Sequence, residues 1–566
     1  MKTTMHPGSD SSHRLRSDQG SAVGAALQTL ASLLWLPQAG LLAYAVQGLA
    51  DGGGLAAIKI PALLLVLLGL LRAACDAAGS RRAFKTARAR LSMLRAQVAT
   101  ALAARSPLDV DRPASGLAAS VMAEQAEAVI PYLTRYRPAR LRSTIVPIVI
   151  LIAVFPLSWI AALVLLVAAP LIPIFMALVG WRAKAASEVQ MVEMGDMNAF
   201  LLDRLRGLAT LRTLGAIDMT AQRLRDAAQA LRLRTMAVLR IAFLSSAILE
   251  LFAALGVAMI AVYVGFHLLG QIEFGAWGNR LSLGQGLFIL LLAPAFFEPL
   301  RDLSAAWHDR AAGEAALDAL DRLSDTGLLL PDAGDGANAL SSHTGVAPSV
   351  EISNLLFSHV GAADLVFDNY FLHVAAGEHI AIVAPSGGGK STLLSLIAGL
   401  VPAQGGEIKI DGVPLSANTV ITLRSRMTWI GQKPHIFAGS VRANVSLGRA
   451  GVDAEDVADA LQFAALDTVP QAQLGVALGE GGGGLSGGEA VRLALARAMV
   501  AGCANADLLL VDEPTAHLDT VTAKEVSDAL LQLAQGKTMI VATHDPVLAA
   551  RMHRVIVLNA DAEVEA

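Results

Sequence analysis

The sequence predicts two joined architectures: a membrane all-α domain of six helices, then an α/β P-loop nucleotide-binding domain. Three observations carry this reading. Hydrophobic residues make up 54% of the 566-residue chain and charged residues only 16%, with a mean hydropathy of +0.54. That composition belongs to a membrane protein with a soluble part attached. Six long apolar runs crowd the first 300 residues, whereas from Val350 onward short apolar strands alternate with helical stretches. Finally, residues 378–392 read as a buried strand, a glycine-rich loop, a lysine with two hydroxyls, and the start of a helix.

Taken in order, residues 1–20 are polar and lack an apolar core followed by a cleavage site, so they are expected as a disordered cytoplasmic tail. The apolar runs follow at 22–50, 56–78, 143–157, 158–180, 241–267 and 284–300. A span needs roughly 20 apolar residues, so the stretch 143–180 must divide near Pro156. About a dozen Lys and Arg fall between 81 and 142, and 182–240 is similarly basic. Both basic segments and both termini are therefore expected in the cytoplasm. Apolar residues at helical spacing, such as Leu201, Leu205 and Leu208, make these segments read as helices continuing beyond the membrane. Bends are expected at 107–115, which holds two prolines, and at 215–220. Solvated basic helices with no further role would give the same pattern. The domains are then 1–20, 21–324, a Gly-, Ala-, Asp- and Ser-rich linker at 325–349, and 350–566.

Composition also excludes. A net charge of −4 gives no reason to expect a nucleic-acid partner. Two cysteines, Cys75 and Cys503, lie in different regions and are expected as small buried hydrophobes without a disulfide framework.

The chemistry concentrates after residue 378. Ala384, Pro385 and Ser386 lead into Gly387, Gly388 and Gly389, then Lys390, Ser391 and Thr392. Glycines allow consecutive N–H groups to close on a phosphate at a helix N-terminus. Lys390 is expected to reach the β/γ-phosphates of ATP, and Ser391 to ligate Mg²⁺. Ala384 stands where glycine is usual, which a negative φ would tolerate. Downstream, four aliphatics end in Asp512 and Glu513. Asp512 is expected to hold Mg²⁺ and Glu513 to polarise the attacking water.

Leu485, Ser486, Gly487, Gly488 and Glu489 open a helix, and here the sequence resembles the ATP-binding cassette (ABC) ATPases. Glu489 replaces the family's usual glutamine. The resemblance implies that Ser486, Gly487, Gly488 and Glu489 cap a nucleotide held by a second subunit. It implies Gln432 as the Q-loop sensor of Mg²⁺, Asp519 in the D-loop, His544 as the γ-phosphate switch, and Glu480 at a cross-domain contact. His359 aligns where a base-stacking tyrosine is usual, with Phe357 expected in the core. Six helices before one nucleotide domain resemble a half-transporter exporter, so a dimer is implied.

Longer stretches in the membrane half, among them 155–159, 169–180, 202–212, 240–250 and 293–302, resemble the D-type subunits of the heterodimeric ABC exporters needed for cytochrome bd assembly. That resemblance implies export of cysteine or glutathione, or haem-linked transport, with a homologous C-type subunit as partner in a bacterial inner membrane. Haem b at the dimer level would draw a mid-membrane histidine from that partner, because His267 and His308 are expected at the interface or in solvent. Arg72, Asp76, Arg240, Glu250, Glu298 and Arg301 are charges at or near membrane depth, where charges are costly and often functional. Snorkelling, or pairing such as Arg72 with Asp76, would also account for them. A lipid or drug exporter half, and a regulatory subunit with weak ATPase, stand as the alternative readings.

Overall fold

The computed structural model describes residues 10–113, 115–170, 207–278, 280–325, 327–331, 346–359, 361, 364–449, 451–479, 484–503 and 506–558, with 174, 197, 200, 201 and 204. The chain divides into two compact units, Met1–Val98 with Ala114–Leu323, and Ala99–Pro113 with Ser324–Ala566.

The first unit is helical. Helices α1 (Asp10–Leu33) and α2 (Trp35–Ala50) share the first apolar run, broken only at Leu34. Helix α1 starts at Asp10, so half of the polar segment expected as a disordered tail is helical instead. The first apolar run continues its backbone hydrogen bonds without interruption. A turn with positive φ at Gly52 and Gly54 leads into α3 (Ala56–Ala104), whose 49 residues extend well beyond the apolar run 56–78. After α4 (Ser115–Ala123) the chain reaches α5 (Arg137–Val154), turns at 155–157, and enters α6 at Trp159–Pro170. The division expected near Pro156 falls there. Next come α7 (Ile217–Leu268), α8 (Leu283–Ala305) and α9 (Trp307–Ser324). Gly215, with positive φ, precedes α7 at the second expected bend.

Among the described residues four helical stretches are long and apolar enough to cross a membrane: Gly20–Ala50, Ala56–Ala104, Glu250–Leu268 and Leu283–Ser324. The other two expected runs fall on α5, whose first turns carry Arg137, Arg140 and Arg142, and on α6. Most of the run beyond Pro170 lies outside the described residues, as does most of 182–206.

One apolar core holds these helices. Ile150 and Val154 on α5, Leu165 on α6, Ile260 and Val264 on α7, and Ile289, Leu292, Phe296 and Phe297 on α8 are fully buried. Small residues permit close approach. A Cβ on Gly256 would meet the Phe297 ring at 2.5 Å, so α7 and α8 touch through a glycine. Ser158 fixes the start of α6, its hydroxyl lying 2.9 Å from Tyr263 OH and donating to the Gly275 carbonyl at 2.8 Å.

The second unit is α/β. Strands β1 (Val350–Phe357), β2 (Phe367–Val374), β4 (Gly405–Ile410) and β5 (Val413–Pro414) form an antiparallel sheet in the order β2-β1-β4-β5. Strands β3 (His379–Val383), β6 (Met427–Ile430), β7 (Leu508–Asp512), β8 (Thr538–Ala542) and β9 (Arg554–Val557) form a parallel sheet in the order β9-β3-β8-β7-β6. Strands β7 and β8 are buried at every position, as parallel strands covered on both faces must be.

Residues 99–113 belong to this unit rather than to the membrane unit, where the sequence reading put them. Ser106 is fully buried. Its hydroxyl donates to the Leu400 carbonyl at 2.6 Å, and its N–H to the Leu328 carbonyl at 2.8 Å. The Leu330 N–H donates to the Ala104 carbonyl, and the Leu328 N–H to Asp109 Oδ2. Thus the first expected bend is docked on the nucleotide unit, and part of the expected linker is hydrogen-bonded backbone. Cys75 is half-buried and unpaired; the side chain of Cys503 lies outside the described residues.

Candidate active site

The site grows from the carboxyl ends of three neighbouring parallel strands, β3, β8 and β7, where open α/β sheets place their ligand crevice. Strand β3 delivers the loop 384–389 to helix α10 (Lys390–Ile397). Gly387 and Gly389 adopt φ of 84° and 87°, a region that side-chain-bearing residues rarely enter. Ala384 keeps a negative φ and is buried, with a Cβ that a side chain at Gly388 would meet at 2.8 Å. The alanine therefore fits where glycine is usual.

Lys390 is nearly buried, and its Nζ donates to the Ala384 carbonyl at 2.9 Å. The same ammonium stands 2.6 Å from His544 Nε2 and 3.5 Å from Glu513 Oε1. Strand β7 places Asp512 and Glu513 in succession; β8 places His544 two residues beyond its end. Glu513 adopts φ of 47°, and its N–H donates to the Ala542 carbonyl at 2.8 Å. That backbone turn brings its carboxylate 3.3 Å from His544 Nε2 and under the Gln432 amide, which donates at 3.0 Å. Lysine, carboxylate, imidazole and amide thus converge from four segments.

Asp512 is buried, and its Oδ1 has no hydrogen-bond partner. Burial pushes its carboxyl above the usual aspartate range and the adjacent Glu513 adds to this, while the Ser391 hydroxyl and Lys390 oppose it. A buried carboxylate oxygen without a donor, beside a hydroxyl, fits a hard cation such as Mg²⁺. Asp512 and Ser391 would hold the ion, with Gln432 nearby through Glu513. The ion would supply charge neutralisation at the phosphates.

His359 is exposed, its Nε2 3.3 Å from the Thr392 hydroxyl and its ring edge-on to Phe357 at 5.2 Å. Phe357 is buried. The expected base-stacking position therefore stands at the cradle, with Phe357 in the core. Ser486 and Glu489 form a reciprocal cap at the start of α11 (Gly487–Cys503). The Ser486 N–H donates to Glu489 Oε2 at 2.7 Å, and the Glu489 N–H to Ser486 Oγ at 3.3 Å. Asp519 caps α12 (Thr520–Leu533), accepting from the Val521 and Thr522 N–H groups and the Thr522 hydroxyl. Those bonds hold its carboxyl below the usual range. Glu480 lies outside the described residues.

One residue went unforeseen. Arg497 on α11 donates to the carbonyls of His435 and Asn444 and to the Asn444 amide oxygen, tying the segment after Gln432 to the helix after the signature. Its only sequence signal was an arginine on the same helix as Ser486.

Of the charges expected along a transport path, Arg301 and Glu250 meet: Arg301 Nη1 lies 3.1 Å from both Glu250 oxygens. Arg72 does not pair with Asp76; it lies over the Trp35 ring, 5.4 Å from its centroid. The α2 indole reaches it more favourably than a carboxylate four residues along its own helix. Asp76, Arg240 and Glu298 are exposed. His267, expected at the interface or in solvent, is 2% exposed, its ring edge-on to Tyr263 at 5.7 Å. Ala276 and Leu281 of the following connection join the same core as Tyr263, which explains the burial. His308 is exposed.

An apolar helical domain followed by a glycine-loop cradle where lysine, carboxylate, imidazole and amide converge defines an ATP-hydrolysing membrane transporter, and the chain belongs to the ABC transporter family. Residues 22–299 match the ABC transporter transmembrane region and 367–516 the ABC transporter domain. Within the family the chain is 36% identical to the glutathione/L-cysteine transport system ATP-binding/permease protein CydD of Haemophilus influenzae, over 86% of this chain and 82% of that one. It is 30% identical to the protein of the same system named CydC in Bacillus subtilis, over 94% of this chain and 90% of that one. The fold is similar to that of a bacterial Atm1-family ABC exporter, with a TM-score of 0.74 at 24% identity, covering 96% of this chain and 93% of that one.

Proposed function

We propose that the chain is one half of an ATP-driven exporter that moves cysteine or glutathione out of the cytoplasm, paired with a homologous C-type chain. The observation that carries this reading is the 36% identity to a glutathione/L-cysteine system protein, which extends over 86% of the chain and so through the membrane half. In this reading the protein sits in the bacterial inner membrane, with the nucleotide unit and both termini cytoplasmic, and supports cytochrome bd assembly. Lys390 binds the β/γ-phosphates of ATP, Gln432 orients the Glu513 carboxylate, Glu513 accepts a proton from the attacking water, and His544 contacts the γ-phosphate. The pair Glu250 and Arg301 presents both charges that a zwitterionic cargo requires. A haem b at the dimer level takes its mid-membrane ligand from the partner chain, since His267 closes the last turn of α7 and His308 opens α9.

The test is ATP hydrolysis by the complex of this chain with its C-type partner. Stimulation by cysteine or glutathione, lost in Glu513→Gln, is the expected result. Wild-type hydrolysis indifferent to thiols and haem but raised by lipids would replace this reading with a lipid or drug exporter.

A further inference from the structure

The position beside the cradle where an adenine would stack is held by a residue from outside the cradle. Strand β1 ends at Phe357, whose carbonyl still accepts from the Val366 N–H at 2.8 Å. On its other side the pairing with β4 stops one residue earlier, at Leu356 opposite Gly405. Ser358 and His359 therefore project beyond the sheet. Gln404 takes over there. Its Oε1 accepts from the Ser358 N–H at 3.0 Å and from the Ser358 hydroxyl at 3.1 Å, and its Nε2 donates to the Ser358 carbonyl at 2.9 Å. The Gln404 N–H also donates to the Leu356 carbonyl at 3.1 Å. A side-chain amide carries the donor and acceptor of a peptide group, so Gln404 adds one more rung to the β1–β4 ladder ahead of β4 itself. Gln404 is exposed. Fixing such a side chain costs rotamer entropy, and three hydrogen bonds to a single residue offset it.

One residue further on, the imidazole of His359 is restrained twice. Its Nε2 lies 3.3 Å from the Thr392 hydroxyl on α10, and its ring stands at 86° to the buried Phe357 ring, 5.2 Å between centroids. Gln404 thus fixes the backbone that leads to the ring, while Thr392 and Phe357 fix the ring itself. An imidazole offers an adenine less area than a phenol does, so its worth depends more closely on where it is held.

We propose that Gln404 is a positioning residue for nucleotide binding, fixing the backbone at Ser358 so that His359 meets the adenine. The proposal rests on the reading of residues 384–392 as an ATP cradle with His359 at the adenine. The experiment uses the full transporter with its partner, a trace of azido-ATP, and the photolabel recovered on this chain alone. It measures the concentrations of ATP, and of inorganic tripolyphosphate, which has no base, that halve the labelling. His359→Ala is expected to raise the ATP value roughly fivefold, the lower end of what a base–aromatic contact supplies, and to leave the tripolyphosphate value unchanged. Gln404→Met keeps the side chain's length and removes its bonds to Ser358. It is expected to raise the ATP value about threefold, again with no effect on tripolyphosphate. In a His359→Ala background Gln404→Met is expected to add nothing, because a positioning residue acts only through the ring it positions. Gln404→Glu keeps the acceptor for both Ser358 donors and is expected to fall between wild type and Gln404→Met; it carries the test should Gln404→Met misfold. A rise with His359→Ala but none with the Gln404 variants would overturn the positioning role. So would a parallel rise for tripolyphosphate, or a Gln404→Met effect that persists without the imidazole, since either assigns Gln404 to the fold alone. No change with His359→Ala would remove the adenine contact and the proposal with it, whereas labelling of this chain that never saturates would remove the ATP cradle itself.

Discussion

Glu513 shows how one backbone angle makes a site. With φ of 47° it departs from the β7 direction, and the Ala542 carbonyl holds its N–H in that turn. Its carboxylate then faces Lys390, His544 and Gln432 together. Glu513→Gln retains the shape and removes the proposed base, so hydrolysis should fall by roughly 10²-fold or more while nucleotide remains bound. Phosphate release measured beside nucleotide retention checks both halves. Asp512 adds a pH dependence. Burial raises its folded pKa, so its ionised form costs stability as pH climbs from the unfolded value through the folded one, and a bound cation offsets that cost. The Mg²⁺-dependent part of ATP affinity should therefore weaken on acidification at a higher pH than an ordinary aspartate would give, and Asp512→Asn should abolish the Mg²⁺ dependence. Titrations with and without Mg²⁺ across the acid range read this directly. These residues were legible in sequence because phosphate chemistry demands fixed types at fixed spacings. Arg497 was not, because its three acceptors come from residues 53 and 62 positions away and no local pattern encodes them.

Among the elements, legibility followed apolar periodicity and failed where hydrogen bonds alone decide. The helices on 56–78 and 284–300 fall where the apolar runs predicted them, and β3 and β7 emerge as the expected buried strands. The polar start of α1 was misread, since helical propagation from an apolar run leaves no compositional mark upstream. The stretch 328–330 looked like linker by composition, yet it bonds to Ala104, Ser106 and Asp109. Glycine packing was equally silent. Gly256 faces the Phe297 ring at 2.5 Å for a built Cβ, whereas Gly265, nine residues on in α7, meets nothing within 4 Å. Gly256→Val should force α7 from α8 at about 1–3 kcal/mol, seen as a lower thermal midpoint of the purified complex. Gly265→Ala should leave the midpoint unchanged. Equal effects of both would mean that helix propensity, and not the Phe297 contact, governs this pair.

At the scale of the whole molecule, one chain carries one cradle and one signature, and a dimer, here the proposed heterodimer, is needed to complete a site. In the proposed composite arrangement Lys390 would serve the nucleotide of this chain, while Ser486 would serve the nucleotide of the partner. Glu489 belongs to the second function, because its carboxylate holds the Ser486 N–H at 2.7 Å and so sets the signature turn with a negative charge where glutamine is usual. That charge lies at a helix N-terminus, where it stabilises the fold and opposes a second anion. Lys390→Ala should therefore remove nucleotide from this chain alone, and Ser486→Arg should stop turnover on the partner's nucleotide while this chain still binds its own. Glu489→Gln should tighten ATP at the partner's cradle and leave the cradle at 384–392 unaffected. Photo-crosslinking with an azido-ATP, followed by separation of the two chains, assigns each effect to its subunit. Ser486→Arg acting on the nucleotide of its own chain would break the composite arrangement, and full ATP hydrolysis by this chain without its partner would overturn the heterodimer.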